Sequence, residues 1–230
     1  MKVNEIFKSI QGESTWQGLH CVFIRLSGCN LRCSWCDTKY VYENGNEMSV
    51  DEIIHNVGAD PCVCPEIMNK GEHIGSPLLV EITGGEPLLQ EEVYELSNKL
   101  LAKGYKVLIE TNGSISADRL SNDVIRIIDI KCPRSGMSDK VYWDNLNKLR
   151  PMDEIKFVLS DEIDYEWAKE VIEKYRLSEK AKVLFSPVLD NQTIRQSDNT
   201  YLLKLISEWI LRDNLPVRLQ LQLHKYIGVR

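Results

Sequence analysis

Phe23-Ile24-Arg25-Leu26-Ser27-Gly28-Cys29-Asn30-Leu31-Arg32-Cys33-Ser34-Trp35-Cys36 is the stretch that decides how this chain is read. An apolar run, Cys21–Leu26, stops at Ser27-Gly28, and three thiols follow within eight residues. Working outward, further runs rich in Val, Ile and Leu occur at Leu78–Thr83, Lys106–Glu110, Val124–Ile130, Glu154–Leu159 and Lys182–Val188. Most are too apolar for a sheet that is wet on one side, so they read as strands covered on both faces. Helical patterns fall between them. Gln90–Lys103 carries Val93, Leu96, Leu100 and Leu101 at helical spacing, with Gly104 as C-cap. Asp161–Tyr175 is capped by Ser160 and Asp161 and places Ile163, Trp167 and Val171 on one face; Thr200–Leu211 repeats Leu203, Ile206 and Ile210. Alternating strands and helices give βαβ units and a parallel sheet, the α/β class. In a barrel of parallel strands, the loops after the strands carry the chemistry.

The 230 residues suit one domain, 1–230, with Gly58–Pro77 as a loop insertion holding three Pro, three Gly and Cys62-x-Cys64. Val217–Leu223 alternates like an edge strand. A composition of 43% apolar and 27% charged residues excludes disorder, collagen and coiled coil as the main architecture. A net charge of −6 argues against a broad nucleic-acid surface but leaves room for a small anionic substrate held by local cations. No apolar run approaches the ~20 residues that cross a bilayer, and Met1–Ser14 lacks the apolar core of a secretory signal. The expectation is a cytoplasmic protein with no membrane or nucleic-acid partner.

In that compartment seven cysteines are poor candidates for disulfides. Cys29, Cys33 and Cys36 can converge on a soft metal centre. Three thiolates on a four-iron cluster would leave one iron open for a non-protein ligand. Zinc would need a fourth ligand, for which His20, Cys21, Cys62, Cys64 and Cys132 are candidates. Cys132 reads more simply as a buried thiol, and Cys62 and Cys64 as unliganded loop cysteines.

The spacing C-x3-C-x2-C, with Trp35 before the last cysteine, resembles the radical S-adenosylmethionine (SAM) superfamily. So does Thr83-Gly84-Gly85-Glu86-Pro87 after a strand. The flanks are more specific. Glu5-Ile6-Phe7, Ser9-Ile10-Gln11-Gly12-Glu13, Phe23-Ile24-Arg25-Leu26, Cys36-Asp37-Thr38, Glu110-Thr111-Asn112-Gly113, Asp129-Ile130-Lys131-Cys132-Pro133 and Leu223-His224-Lys225 resemble the 7-carboxy-7-deazaguanine synthase family. The match runs from residue 5 to the tail and is weakest over Gly58–Pro77. One departure is Ser14, where the family often has Gly.

The resemblance implies a partial, modified TIM-type barrel of about six parallel strands, a homodimer, a 4Fe-4S cluster, SAM and Mg²⁺. The implied reaction contracts 6-carboxy-5,6,7,8-tetrahydropterin to 7-carboxy-7-deazaguanine with loss of ammonia. An external one-electron reductant, flavodoxin-like or ferredoxin-like, would start it. A 5′-deoxyadenosyl radical would take the hydrogen from C6 and later return it, so that SAM is re-formed.

By the same resemblance Cys29, Cys33 and Cys36 hold the cluster and Thr38 the magnesium. Ser34, Trp35, Cys36, Gly84, Gly85, Glu86, Glu110, Asn112, Asp129, Ile130 and Lys131 meet SAM. Ile10, Gln11, Gly12, Glu13, Arg25, Thr83, His224 and the carboxylate of Arg230 meet the substrate, with Glu13, Arg25 and His224 catalytic. Simpler readings stand beside several of these. Arg25 could serve a surface ion pair, Glu13 a wet loop, Asn112 an Asn-Gly turn, and Asp37 or Thr38 a helix cap. Two other functions share part of the signal: an activase that takes hydrogen from a partner's glycine, and a zinc-stabilised binding module. The turn at Gln11, Arg25 and His224 favour a small pterin over the partner protein.

Overall fold

All six apolar runs are strands of a single sheet in the computed structural model, which describes residues 1–58, 78–189 and 197–229. In chain order the strands are β1 (Lys2–Ile10), β2 (His20–Leu26), β3 (Asn46–Glu47), β4 (Leu79–Gly84), β5 (Lys106–Thr111), β6 (Ile125–Ile130), β7 (Glu154–Leu159), β8 (Lys182–Pro187) and β9 (Arg218–Leu219). Their spatial order among the described residues is β3-β1-β2-β4-β5-β6-β7-β8-β9. From β2 through β9 every pairing is parallel, while β1 runs antiparallel to both β2 and β3. The sheet is open, with β3 at one edge and β9 at the other. The expected partial barrel is therefore present, with β1, β3 and β9 beyond the six strands.

All but the last of the helices lie on the outer face. In chain order the helices are α1 (Val50–Gly58), α2 (Val93–Ala102), α3 (Glu162–Tyr175), α4 (Leu177–Lys180), α5 (Ser197–Arg212) and α6 (Leu223–Ile227). Strand residues alternate between faces. Val22, Ile24, Leu26, Val80, Ile82, Val107 and Ile109 point outward and pack with Ile53, Ile54 and Val57 of α1 and Val93, Leu96 and Leu100 of α2. Ile128, Ile130, Ile155, Phe157, Val183 and Phe185 do the same against Tyr165, Ala168, Val171 and Ile172 of α3 and Ile206 of α5. The face expected for α3 is rotated. Ile163 is 54% exposed, because Tyr165 and Ala168 are the residues turned to the sheet.

Two local features were not expected. β1 is polar at Lys2, Glu5 and Lys8, as suits a strand near the sheet edge with one half-exposed face. Helix α1 opens with a reciprocal cap: Glu52 accepts from the Ser49 amide at 2.7 Å, and the Ser49 hydroxyl accepts from the Glu52 amide at 3.2 Å.

Only Arg218–Leu219 of the expected tail strand pairs, parallel to β8. The remainder turns into α6, so His224 lies on a helix and not on a strand. Cys62 and Cys64, with the loop 59–77, lie outside the described residues, as does Arg230.

Candidate active site

The inward face of the same strands is different. Near its lower end Cys21, Phe23, Leu79, Leu108, Ile125 and Ile127 form a small apolar plug, with Phe7 and Trp16 against it. Above the plug the inward positions turn polar: Arg25 on β2, Glu81 and Thr83 on β4, Glu110 on β5, Asp129 on β6 and Lys156 on β7. These side chains line one cavity with Ile10, Gln11, Gly12 and Glu13 and with Cys29, Cys33, Trp35, Cys36 and Thr38.

The antiparallel β1 delivers the Gln11–Glu13 turn from the lower end, since its last residue, Ile10, pairs with His20 at the start of β2. The loop then binds to β7, where the Thr15 amide donates to Glu154 at 3.0 Å. Ser14 sits in this loop at φ 62°, in the left-handed region where Gly is unstrained. That accounts for the glycine common in the family at this position. Helix α6 closes the side of the cavity. The Leu223 amide donates to the Gly12 carbonyl at 2.8 Å, Gln222 donates to Glu13 at 2.7 Å, and Lys225 pairs with Asp37 at 2.8 Å. His224 lines the cavity against Gly12, where an added methyl group would strike the imidazole.

Lys156 is the charge hub. Its Nζ lies 2.5 Å from Glu13 Oε2, 2.8 Å from Glu110 Oε1 and 4.0 Å from Asp129 Oδ2. Burial works against its charge, but Glu110 and Glu13 hold its proton firmly on. Burial would also raise the Glu13 carboxyl; Lys156 and then His224 outweigh it and bring it down to about 2. Glu110 goes the other way, raised chiefly by burial. Lys131 is bound to Asp129 at 2.7 Å, and Asp129 Oδ1 is buried with no partner among the described residues. Burial lowers His224, favouring its neutral imidazole.

Several expected contacts are placed differently. Glu86 does not line the cavity. Fully buried, its carboxylate accepts from the Leu88 amide, the Thr111 hydroxyl and the Asn112 amide at 2.7–2.9 Å. It is an N-cap that ties the glycine turn to β5, with both carboxylate oxygens engaged by the protein. The glycines are what face the cavity. A methyl on Gly84 would strike the Leu26 backbone, and one on Gly85 the Gly28 carbonyl and Cys29.

Asn112 follows the turn reading: its side chain oxygen accepts from the Ser114 amide at 3.0 Å, and its amide donates to Asn30 at 3.1 Å. Asn112 nevertheless lines the cavity beside Cys29, so the turn occupies it without removing it from the site. Ile130 is buried in the outer core, so only its backbone remains for SAM. Ser34 is exposed and its hydroxyl donates to the Ser135 carbonyl. Arg25 uses Nε on Glu5 at 2.8 Å, and its guanidinium still lines the cavity, so the ion pair orients it inward.

Thr38 makes no capping hydrogen bond, and Asp37 is taken by Lys225, which disposes of the capping alternative for both. Cys132 is a buried thiol. Glu81, Lys156 and Gln222 were missed. For Glu81 and Lys156 the available signal was a charged residue flanked by apolar ones within a strand, as in LLVEIT and EIKFVL.

The three cysteines fit an iron–sulfur cluster. They sit on one loop beside the glycine turn, and among the described residues no three His, Cys, Asp or Glu side chains are gathered as a single-ion site. A lone zinc draws its ligands within about 2.3 Å of one point, whereas a cluster takes each thiolate at a separate iron.

The radical SAM superfamily model matches residues 23–202. A 7-carboxy-7-deazaguanine synthase of Koribacter versatilis is 43% identical over 99% of this chain and 96% of its own length. The enzyme of that name from Chlorobaculum tepidum is 41% identical over 99% and 94%. This chain belongs to the 7-carboxy-7-deazaguanine synthase family. A crystal structure of QueE from Escherichia coli superposes with a TM-score of 0.67 at 26% identity, covering 97% of this chain and 94% of that one. As a radical SAM enzyme of this family, the chain uses a 4Fe-4S cluster and SAM. Cys29, Cys33 and Cys36, spaced C-x3-C-x2-C, line the strand-end pocket.

Proposed function

We propose that the chain converts 6-carboxy-5,6,7,8-tetrahydropterin to 7-carboxy-7-deazaguanine and ammonia, re-forming SAM in each turnover. The observation that carries this is the juxtaposition, in one cavity, of the cluster thiols with a polar floor of Gln11, Gly12 and Glu13. The cluster and SAM, when bound, supply a carbon radical able to take hydrogen from C6; the protein positions the reactants and excludes water.

Gly84 and Gly85 give SAM close access to backbone carbonyls, with Asp129, Lys131, Trp35 and the Ile130 backbone beside them. Lys131 is already bonded to Asp129, so Asp129 Oδ1 is the acceptor left for a ligand donor. Glu13, ionised and fixed by Lys156 and Gln222, accepts from the pterin's amino and ring N–H groups. Arg25 and Thr83, side by side on the paired strands β2 and β4, receive the substrate's polar edge. His224, neutral and turned toward Gly12, is the base candidate for the proton lost on aromatisation.

Thr38 offers a hydroxyl to Mg²⁺, which would take its other oxygens from water and the substrate carboxylate. The reductant is a small flavodoxin-like or ferredoxin-like protein, the working form is a homodimer, and the location is cytoplasmic. Glu110 completes the set proposed for SAM.

The test is an anaerobic assay of reconstituted enzyme with the carboxytetrahydropterin, SAM and dithionite. The expected result is many deazaguanine molecules per SAM supplied. One 5′-deoxyadenosine released per product would contradict catalytic use of SAM, and no product would remove the pterin assignment.

A further inference from the structure

Five carboxyl groups line the cavity: Glu13, Asp37, Glu81, Glu110 and Asp129. Four of them have a cation. Asp37 has Lys225, Asp129 has Lys131, and Glu13 and Glu110 share Lys156. Glu81 has none. Its partner is an amide, Gln11 Nε2, which donates to Oε2. The orientation of that amide is fixed independently, because Gln11 Oε1 accepts from the Glu13 backbone N–H at 3.0 Å. Glu81 is 4% exposed and Gln11 2%.

A buried carboxylate without a cation carries a heavy desolvation cost and takes up a proton instead. Burial and the neighbouring carboxyls of Glu110 and Glu13 drive Glu81 far upward, with Lys156 opposing, and Cys21 is the other titratable group against it. At neutral pH the cavity floor therefore holds a carboxylic acid with an O–H to donate. Beside it, Gln11 Nε2 has a second hydrogen.

We propose that Glu81, as a neutral acid, forms with the second Nε2 hydrogen of Gln11 a two-donor site for the ring carbonyl oxygen of the pterin. This rests on the pterin reading above and adds to it the residue that tells a 4-oxo from a 4-amino pteridine ring. A carbonyl oxygen accepts two hydrogen bonds, whereas an amino group would set donors against donors. Rejection of an analogue that leaves buried polar groups unpaired is a strong form of discrimination.

Two measurements test this. The first is infrared difference spectroscopy of reconstituted, substrate-free enzyme against its Glu81→Gln variant. A protonated-carboxyl C=O band, sensitive to deuterium oxide, is expected in the parent and absent from the variant. A difference spectrum showing only an ionised carboxylate would overturn the neutral acid. This arm needs no substrate, so it stands or falls apart from the pterin assignment.

The second is competition against the substrate by 6-carboxypterin and its 4-amino analogue. The oxo compound should compete at least about tenfold better. Glu81→Gln retains both a donor and an acceptor and should keep that preference. Glu81→Met fills the space without a donor, and should raise the substrate KM by about 30-fold and erase the preference. An unchanged oxo-to-amino ratio in Glu81→Met, or a parent that prefers the amino compound, would overturn the proposal.

Discussion

The two faces of β2, β4, β5, β6 and β7 obey opposite rules. Outward positions hold Ile, Val, Leu and Phe packed under helices. Inward positions of β2, β4, β5 and β6 change along the strand, from the apolar plug at the lower end to Arg25, Glu81, Glu110 and Asp129 higher up, while β7 turns Glu154 and then Lys156 inward. The outer face provides stability through burial, and a lost methyl group there is paid for locally. The inner face carries several ionisable groups in a dry cavity, where removing one charge exposes another. The difference teaches that position along a strand, and not only its alternation, decides whether a residue serves the fold or the chemistry.

The most severe break should come at the upper rim. Cys29→Ala, Cys33→Ala or Cys36→Ala is expected to abolish turnover and leave the reconstituted protein poor in iron and sulfide, which metal and acid-labile sulfide analysis would report.

On the inner face, Lys156→Met removes the cation shared by Glu13 and Glu110. Loss of one partner from a buried pair costs about 3–5 kcal/mol, and urea unfolding should register a loss of that order. Deazaguanine formation should fall with it.

Thr38→Ala is expected to slow turnover by about 10²-fold, the scale of a misplaced reactant. Thr38→Ser should retain much of the rate, and both variants should keep the cluster's absorbance. Chelation of Mg²⁺ should reproduce the alanine variant.

Acid sharpens the same contrast. Glu13 is depressed from 4.5 to about 2 in the folded state. Its contribution is present above about pH 4.5 and is lost as pH falls toward 2. Unfolding free energies across that window should lose part of their slope in Glu13→Gln. The outer face supplies the smallest effect. Ile82→Val should cost about 0.5–1.5 kcal/mol, seen as a lower denaturation midpoint, and leave KM unaltered.

Much of this was legible from residue order. Apolar runs separated by helical periods determine a parallel sheet, and the cysteine spacing followed by a glycine turn locates its working end. β1 was hidden because Lys2, Glu5 and Lys8 interrupt any apolar run, as a strand with one half-exposed face allows. The signature Ser49-Val50-Asp51-Glu52 announced α1, but its cap is readable only when sought. The capping role of Glu86 was hidden because a carboxylate in a glycine turn has the same local sequence whatever its partners. The roles of Glu81 and Lys156 depend on which strands face each other across the cavity, and that is a property of the assembled sheet, not of any one segment.

Helix α6 has a kinetic consequence. Its bond from Gln222 to Glu13 joins residues separated by 209 positions, and none of its own five residues is buried. Ordering so long an intervening chain gives little return until the rest of the sheet exists. The helix should therefore dock last in folding and detach first in the native state. Its amides are expected to exchange with solvent hydrogen through a local opening, well ahead of those in β4 and β5. Such an opening would uncover Gly12 and Glu13 while the strands stay paired, giving a pterin a way in that leaves the cluster end undisturbed.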